Sequence, residues 1–269
     1  MFSFFGGIDF SGAKEPLSNL WSAIGREDDG KLRIVSLRPH AYRADLCSYV
    51  AVGWRDGVGR DDDKILWGGG FPFGLPAAAV PAMSMRSGGP DSWRDTLAWV
   101  ADRPADEVRD TIPPDSHQPR ATDAPGTPGP LDNRVYKVAV EGMRWLHQLQ
   151  DESDVAVHPQ APDPTSSTTL IEVSSPITAH EVGFPRRRSP ARPGEFRARA
   201  AALRTLVRFS DPCYEAAAVN LEDAWDATIA CVSAWLARDD LDQPFRVAGV
   251  AREIVEIEGW TYRPPASVI

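Results

Sequence analysis

The sequence predicts an α/β fold built on a mixed sheet, and three observations carry that prediction. Residues 2–10 (FSFFGGIDF) are a short, apolar, aromatic-rich run closing on an acid, the pattern of a buried strand. Residues 19–26 and 31–38 both alternate between apolar and polar across Glu27–Gly30 (EDDG), a segment suited to a hairpin turn. A helical stretch over 40–54 then leads to a second short apolar run at 64–67 (KILW). Three antiparallel strands, a helix and a crossover strand describe a mixed sheet covered by helices.

Each element has its own signal. In 40–54 the expected inner face is Ala41, Leu46, Tyr49 and Val50. The run at 64–67 ends in Gly68, Gly69 and Gly70. Residues 91–110 read as helical, interrupted at Pro104. Residues 111–133 hold six prolines and almost no large apolar side chain, so they are expected to be loop or disordered and to hold no core. A helix returns over 134–150, with Val138, Met143, Trp145 and Leu149 as apolar candidates. A Pro/Ser/Thr loop at 159–168 precedes a clean strand at 169–173 (TLIEV). Two helices follow at 195–208 and 214–238, and residues 253–263 are expected to add a final strand. The whole chain, 1–269, reads as one domain enlarged by helices and loops at about 77–168.

Composition narrows the function. The 269 residues carry a formal charge of −9, with 42% hydrophobic and 25% charged residues, the balance of an ordinary globular protein. No stretch approaches the length of a membrane span, so no membrane partner is expected, and the N-terminus lacks a basic leader, so the expected location is cytoplasmic. Net acidity argues against unselective coating of nucleic acid. Three widely spaced cysteines, Cys47, Cys213 and Cys231, form neither a disulfide framework nor a zinc knuckle.

Four acids stand out. Asp9 ends the first strand, at the edge where α/β proteins hold ligands, and is followed by the small residues Ser11, Gly12 and Ala13. Asp223 and Asp226 are three apart and share one helical face; in the first turn such acids also simply complement the helix dipole. Glu172 lies inside an apolar strand, where burial demands a partner or a metal. Converging carboxylates repel, and Mg²⁺ or Mn²⁺ is the natural remedy. Two such ions could activate water and stabilise the leaving oxygen in phosphodiester hydrolysis. Against this acidity, residues 186–204 carry seven arginines, Arg186, Arg187 and Arg188 among them, and one acid, Glu195. Such a cluster suits phosphate or a solvated helix face. His180 follows the acidic strand and reads either as an ordinary helix residue or as one that approaches the acidic site. No HExxH, GxSxG or GK[ST] signature is present.

Seven segments in order carry a resemblance: GIDFSGAK (7–14), GFPFGLP (70–76), LDNRVYK (131–137), LIEVSSP (170–176), the arginine-containing stretch 186–204, EDAWDA (222–227) and EGWTY (258–262). Together they resemble the domain of unknown function 429 family, predicted nucleases of the ribonuclease H-like superfamily. The resemblance implies a five-stranded mixed sheet flanked by helices, with strand two antiparallel to its neighbours. It also implies a two-ion site, with Asp9, Glu172, Asp223 and Asp226 as catalytic and metal-ligating residues and Arg186–Arg188 positioning nucleic acid. Where the family has an acid in a pattern like IDFPFGLP, this chain has Gly70. The expected function is therefore a divalent-metal-dependent nuclease acting on DNA or RNA, impaired by that loss. The alternatives are a catalytically lapsed nucleic-acid- or protein-binding module of the same fold and a nucleotide-dependent phosphotransferase.

Overall fold

A computed structural model describes residues 1–13, 19–84, 92–124, 126–185, 193–246 and 249–265. Its centre is a mixed sheet. β1 (Phe4–Asp9) pairs antiparallel with β2 (Leu20–Asp28), and β2 pairs antiparallel with β3 (Lys31–His40). The hairpin between them closes on Asp29 and Gly30, at φ 55° and 70°, the left-handed pair that matches strand twist. β4 (Ile65–Gly69) lies parallel to β1 on its other side, and β6 (Thr168–Val173) parallel to β4. Strand two is thus antiparallel to both neighbours, as expected. The strand count is not five: among the described residues the sheet has eight, in the order β5-β6-β4-β1-β2-β3-β7 with β8 on β6. The additions are short. β5 (Ala156–His158) and β8 (Thr261–Tyr262) follow one another along the outer edge of β6, and β7 (Val207–Phe209) pairs with β3.

Helices cover both faces. On one lie α1 (Arg43–Ala51), α3 (Trp93–Ala101), α4 (Ala105–Thr111) and α5 (Tyr136–Glu152), packed around Phe4, Ile8, Trp67 and Trp145. A short α2 (Val80–Ser84) precedes them in the chain. On the other lie α6 (Ser175–Glu181), α7 (Pro193–Leu206), α8 (Pro212–Asn220) and α9 (Glu222–Ala237), around Phe5, Ile171, Val173 and Trp225. The chain closes with α10 (Gln243–Arg246), α11 (Arg252–Glu258) and then β8.

Several expectations are corrected. β3 runs on through His40, so the helix expected over 40–54 starts at Arg43 and leaves Ala41 exposed before it. The single helix expected over 214–238 is two, broken at Leu221, whose backbone is extended. The break places Glu222 and Asp223 in the first turn of α9, against its positive end. The tail is mostly helix: Ile254, Val255 and Ile257 fit either period in so short a run, and Gly259, at φ 84°, ends α11 before β8. The Pro-rich segment 111–133 is irregular but does hold core, with Leu131 and Arg120 buried.

Candidate functional site

β1, β4 and β6 run parallel, so their carboxyl ends open on one edge of the sheet. Asp9, Gly70 and Glu172 all lie at that edge and line one cavity of about 630 Å³. Helix α9 brings the fourth wall. Its approach to the sheet is set by Gly7, where a Cβ would stand 2.1 Å from the Cys231 nitrogen and 2.2 Å from the Ala227 oxygen. The helix backbone therefore rests directly on β1. Cys231 Sγ lies 3.1 Å from the Phe5 carbonyl oxygen, so α9 runs back along β1 and brings its first turns to the end bearing Asp9. Asp226, buried, lines the same cavity. Ser175 Oγ donates to the Asp226 carbonyl at 2.9 Å and ties α6 to α9 there.

The four predicted acids are not equivalent. Asp9 and Asp226 approach the cavity from one side of the sheet: Phe5, Gly7 and Asp9 share the face that carries α9. Glu172 belongs to the other face. It stands in register with Gly69, which is in register with Ile8, and Ile8 and Leu170 pack on the opposite core. Asp223 is half-buried one turn before Asp226 and is not among the residues lining the cavity. Arg186, Arg187 and Arg188 lie outside the described residues. Of the remaining arginines in that stretch, Arg199 is buried, its guanidinium 5.2 Å from the Trp225 ring centre and 3.2 Å from Glu195, and Arg204 pairs with Glu215.

Glu172 has found its partner, and it is a residue the sequence reading missed. Arg120, 4% exposed, meets Glu172, 3% exposed, through both terminal nitrogens. Nη1 donates to Oε2 at 2.8 Å and Nη2 to Oε1. Glu172 also accepts from the Phe73 amide at 2.7 Å and from Thr261 Oγ1 at 2.7 Å. Arg120 is equally occupied: Nε and Nη2 donate to Asp123 Oδ1 at 3.0 and 2.6 Å, and Nη1 to the Glu258 carbonyl at 2.7 Å. Burial by itself lowers the Arg120 pKa, but the Glu172 and Asp123 carboxylates more than offset it and hold the guanidinium charged. The segment around Arg120 is pinned further by Glu258, whose Oε2 accepts from the Thr122 amide at 3.3 Å and whose Oε1 accepts from the Ala77 amide at 2.8 Å. Burial pushes the Glu258 carboxyl up. The only sequence signals for this network were a buried-strand acid that had to be neutralised and an Arg-x-x-Asp spacing in a loop.

Three of the four expected carboxylates, Asp9, Glu172 and Asp226, thus line one cavity, with Glu172 reaching it from the opposite face of the sheet and paired with Arg120. Among the described residues no three Asp, Glu, His or Cys side chains assemble as a metal-holding group. Asp9 and Asp226 remain as the pair suited to a hard cation, since Mg²⁺ commonly takes one or two carboxylates and keeps waters or substrate phosphate as its other ligands. Gly70 sits beside them with its nitrogen donating to the Ile8 carbonyl at 3.0 Å. A Cβ there would meet only that carbonyl oxygen, at 3.1 Å, so an acid at this position fits with a small shift. Compared with protein-family models, curated proteins and solved structures, the chain matches none.

Proposed function

We propose that this chain is a divalent-metal-dependent nuclease of ribonuclease H-like fold, hydrolysing phosphodiester bonds of DNA or RNA. The observation that carries the reading is the shared cavity of Asp9, at the end of β1, and Asp226, on α9. The order β3-β2-β1-β4-β6 with only β2 reversed agrees with it. Asp9 and Asp226 would hold Mg²⁺ or Mn²⁺, which supplies charge to orient the phosphate and stabilise its developing negative charge. Glu172 serves differently here: through Arg120 it fixes the cavity wall to which Arg120, Asp123, Ala124, Gly126, Thr127 and Pro128 contribute. Asp223 complements the start of α9. Among the described residues no helix is long and apolar enough to cross a membrane, and a cytoplasmic location belongs to the same proposal.

The test is cleavage of labelled single-stranded, duplex, hybrid and branched substrates in Mn²⁺. Asp9→Asn and Asp226→Asn should each abolish cutting; wild-type rates in either variant would overturn the assignment.

A second reading, a nucleic-acid- or protein-binding module whose catalysis has lapsed, draws on two observations: Gly70 in place of an acid, and Glu172 neutralised by Arg120. Gly70→Asp separates the readings. On the second, the substitution creates activity absent from the parent; on the first, the parent is already active.

A further inference from the structure

A second cavity, of about 620 Å³, adjoins the first. The two share Ala124, Ser175, Pro176, Ile177 and Asp226, so the Asp226 carboxylate stands at the divide rather than at the end of a closed pocket. Each is of a size that takes one small-molecule unit, about 300–1,000 Å³. Together they describe a groove running past Asp226 on both sides. The first cavity is acidic, with Asp9, Asp123, Glu172 and Asp226 against Arg120 alone, whose donors are all engaged. The second differs. It contains Arg263, directly after β8, and His180, exposed on α6. Among the described residues Arg263 forms no ion pair, and it is the only arginine lining this cavity. The remaining acid, Glu181, has its carboxyl pushed up by burial, with the Arg263 charge acting in the opposite sense.

We infer that the second cavity is a subsite for the continuing phosphate backbone of an oligonucleotide, with Arg263 contacting a phosphate and His180 beside it. A mononucleotide would fill only the first cavity; a chain passing Asp226 fills both. Planar guanidinium groups suit phosphate through paired hydrogen bonds. The inference rests on the nuclease reading for the identity of the ligand, but it is tested by binding and so can fail separately.

The probe is a fluorescein-labelled, non-cleavable phosphorothioate ten-mer, followed by fluorescence anisotropy with the full chain. Arg263→Ala should weaken ten-mer binding about tenfold, the loss of one charge-assisted hydrogen-bonding group. Arg263→Lys should recover part of it. Neither should alter competition by a nucleoside monophosphate, and Arg60→Ala, at the opposite end of β4, should change nothing. Wild-type affinity in Arg263→Ala, or failure of the ten-mer to bind, overturns the subsite. Cleavage in Mn²⁺ is scored apart. Arg263-dependent binding without cutting preserves the subsite and rejects the nuclease. Cutting without Arg263 dependence preserves the nuclease and rejects the subsite.

Discussion

Arg120 and Glu172 form a bidentate ion pair inside the protein, joining a Pro-rich loop to the end of a core strand. A pair so deeply buried is costly to break from one side, because the surviving charge has no water to replace its partner. Arg120→Met should therefore destabilise the fold by about 3–5 kcal/mol. The double variant Arg120→Met/Glu172→Met should recover a substantial part of that loss. Urea denaturation of the parent, Arg120→Met, Glu172→Met and the double variant measures it; single losses that simply add in the double variant would show that the pair is not coupled.

On the proposed metal assignment, the same pair keeps Glu172 from serving as a ligand. Asp226→Asn should lower Mn²⁺ affinity by about tenfold or more, since one of two carboxylate ligands is gone. Glu172→Gln, checked for folding by circular dichroism, should change it less than about twofold. Calorimetric titration with Mn²⁺ distinguishes the two, and an equal loss in both variants would make Glu172 a ligand.

Gly7 sets the height of α9 above the sheet. Gly7→Ala places a methyl group where the Cys231 nitrogen and Ala227 oxygen already stand. Both are backbone atoms and cannot swing aside. The expected cost is about 3 kcal/mol, with weaker Mn²⁺ binding in the folded fraction as Asp226 moves with the helix. A melting temperature equal to the parent would contradict this packing.

His40 gives the protein an acid-side sensitivity. Its Nε2 is 2.8 Å from Ser22 Oγ. Burial, then the Arg38 charge, lower its pKa from 6.5 to about 4, with Asp45 acting in the opposite sense. The native ring stays neutral where the unfolded one is protonated. Its contribution is therefore complete above about pH 6.5 and is lost as pH falls towards 4, by about 3 kcal/mol in all. Burial lowers His158 as well, in the same direction. His40→Gln should flatten the stability profile between pH 6.5 and 4 relative to the parent. An unchanged slope would remove His40 as its source.

Sequence by itself determined the elements whose signals are local. The alternation of 19–26 and 31–38 and the EDDG turn specified the β2–β3 hairpin, and the apolar runs specified β1, β4 and β6. It also singled out Asp9, at a strand end, and the Asp223/Asp226 pair at a helix start, without saying which of the pair faces the cavity. It stated a requirement for Glu172, that a carboxylate buried in an apolar strand be neutralised, without saying by what. Tertiary structure decided the rest. Register between parallel strands placed Glu172 on the face opposite Asp9, and a shift of one residue would have reversed that. Arg120 comes from a segment with no periodicity at all, so nothing local marked it as core. Its burial follows from charge: the acid in β6 needed a cation, and the fold brought one 52 positions along the chain.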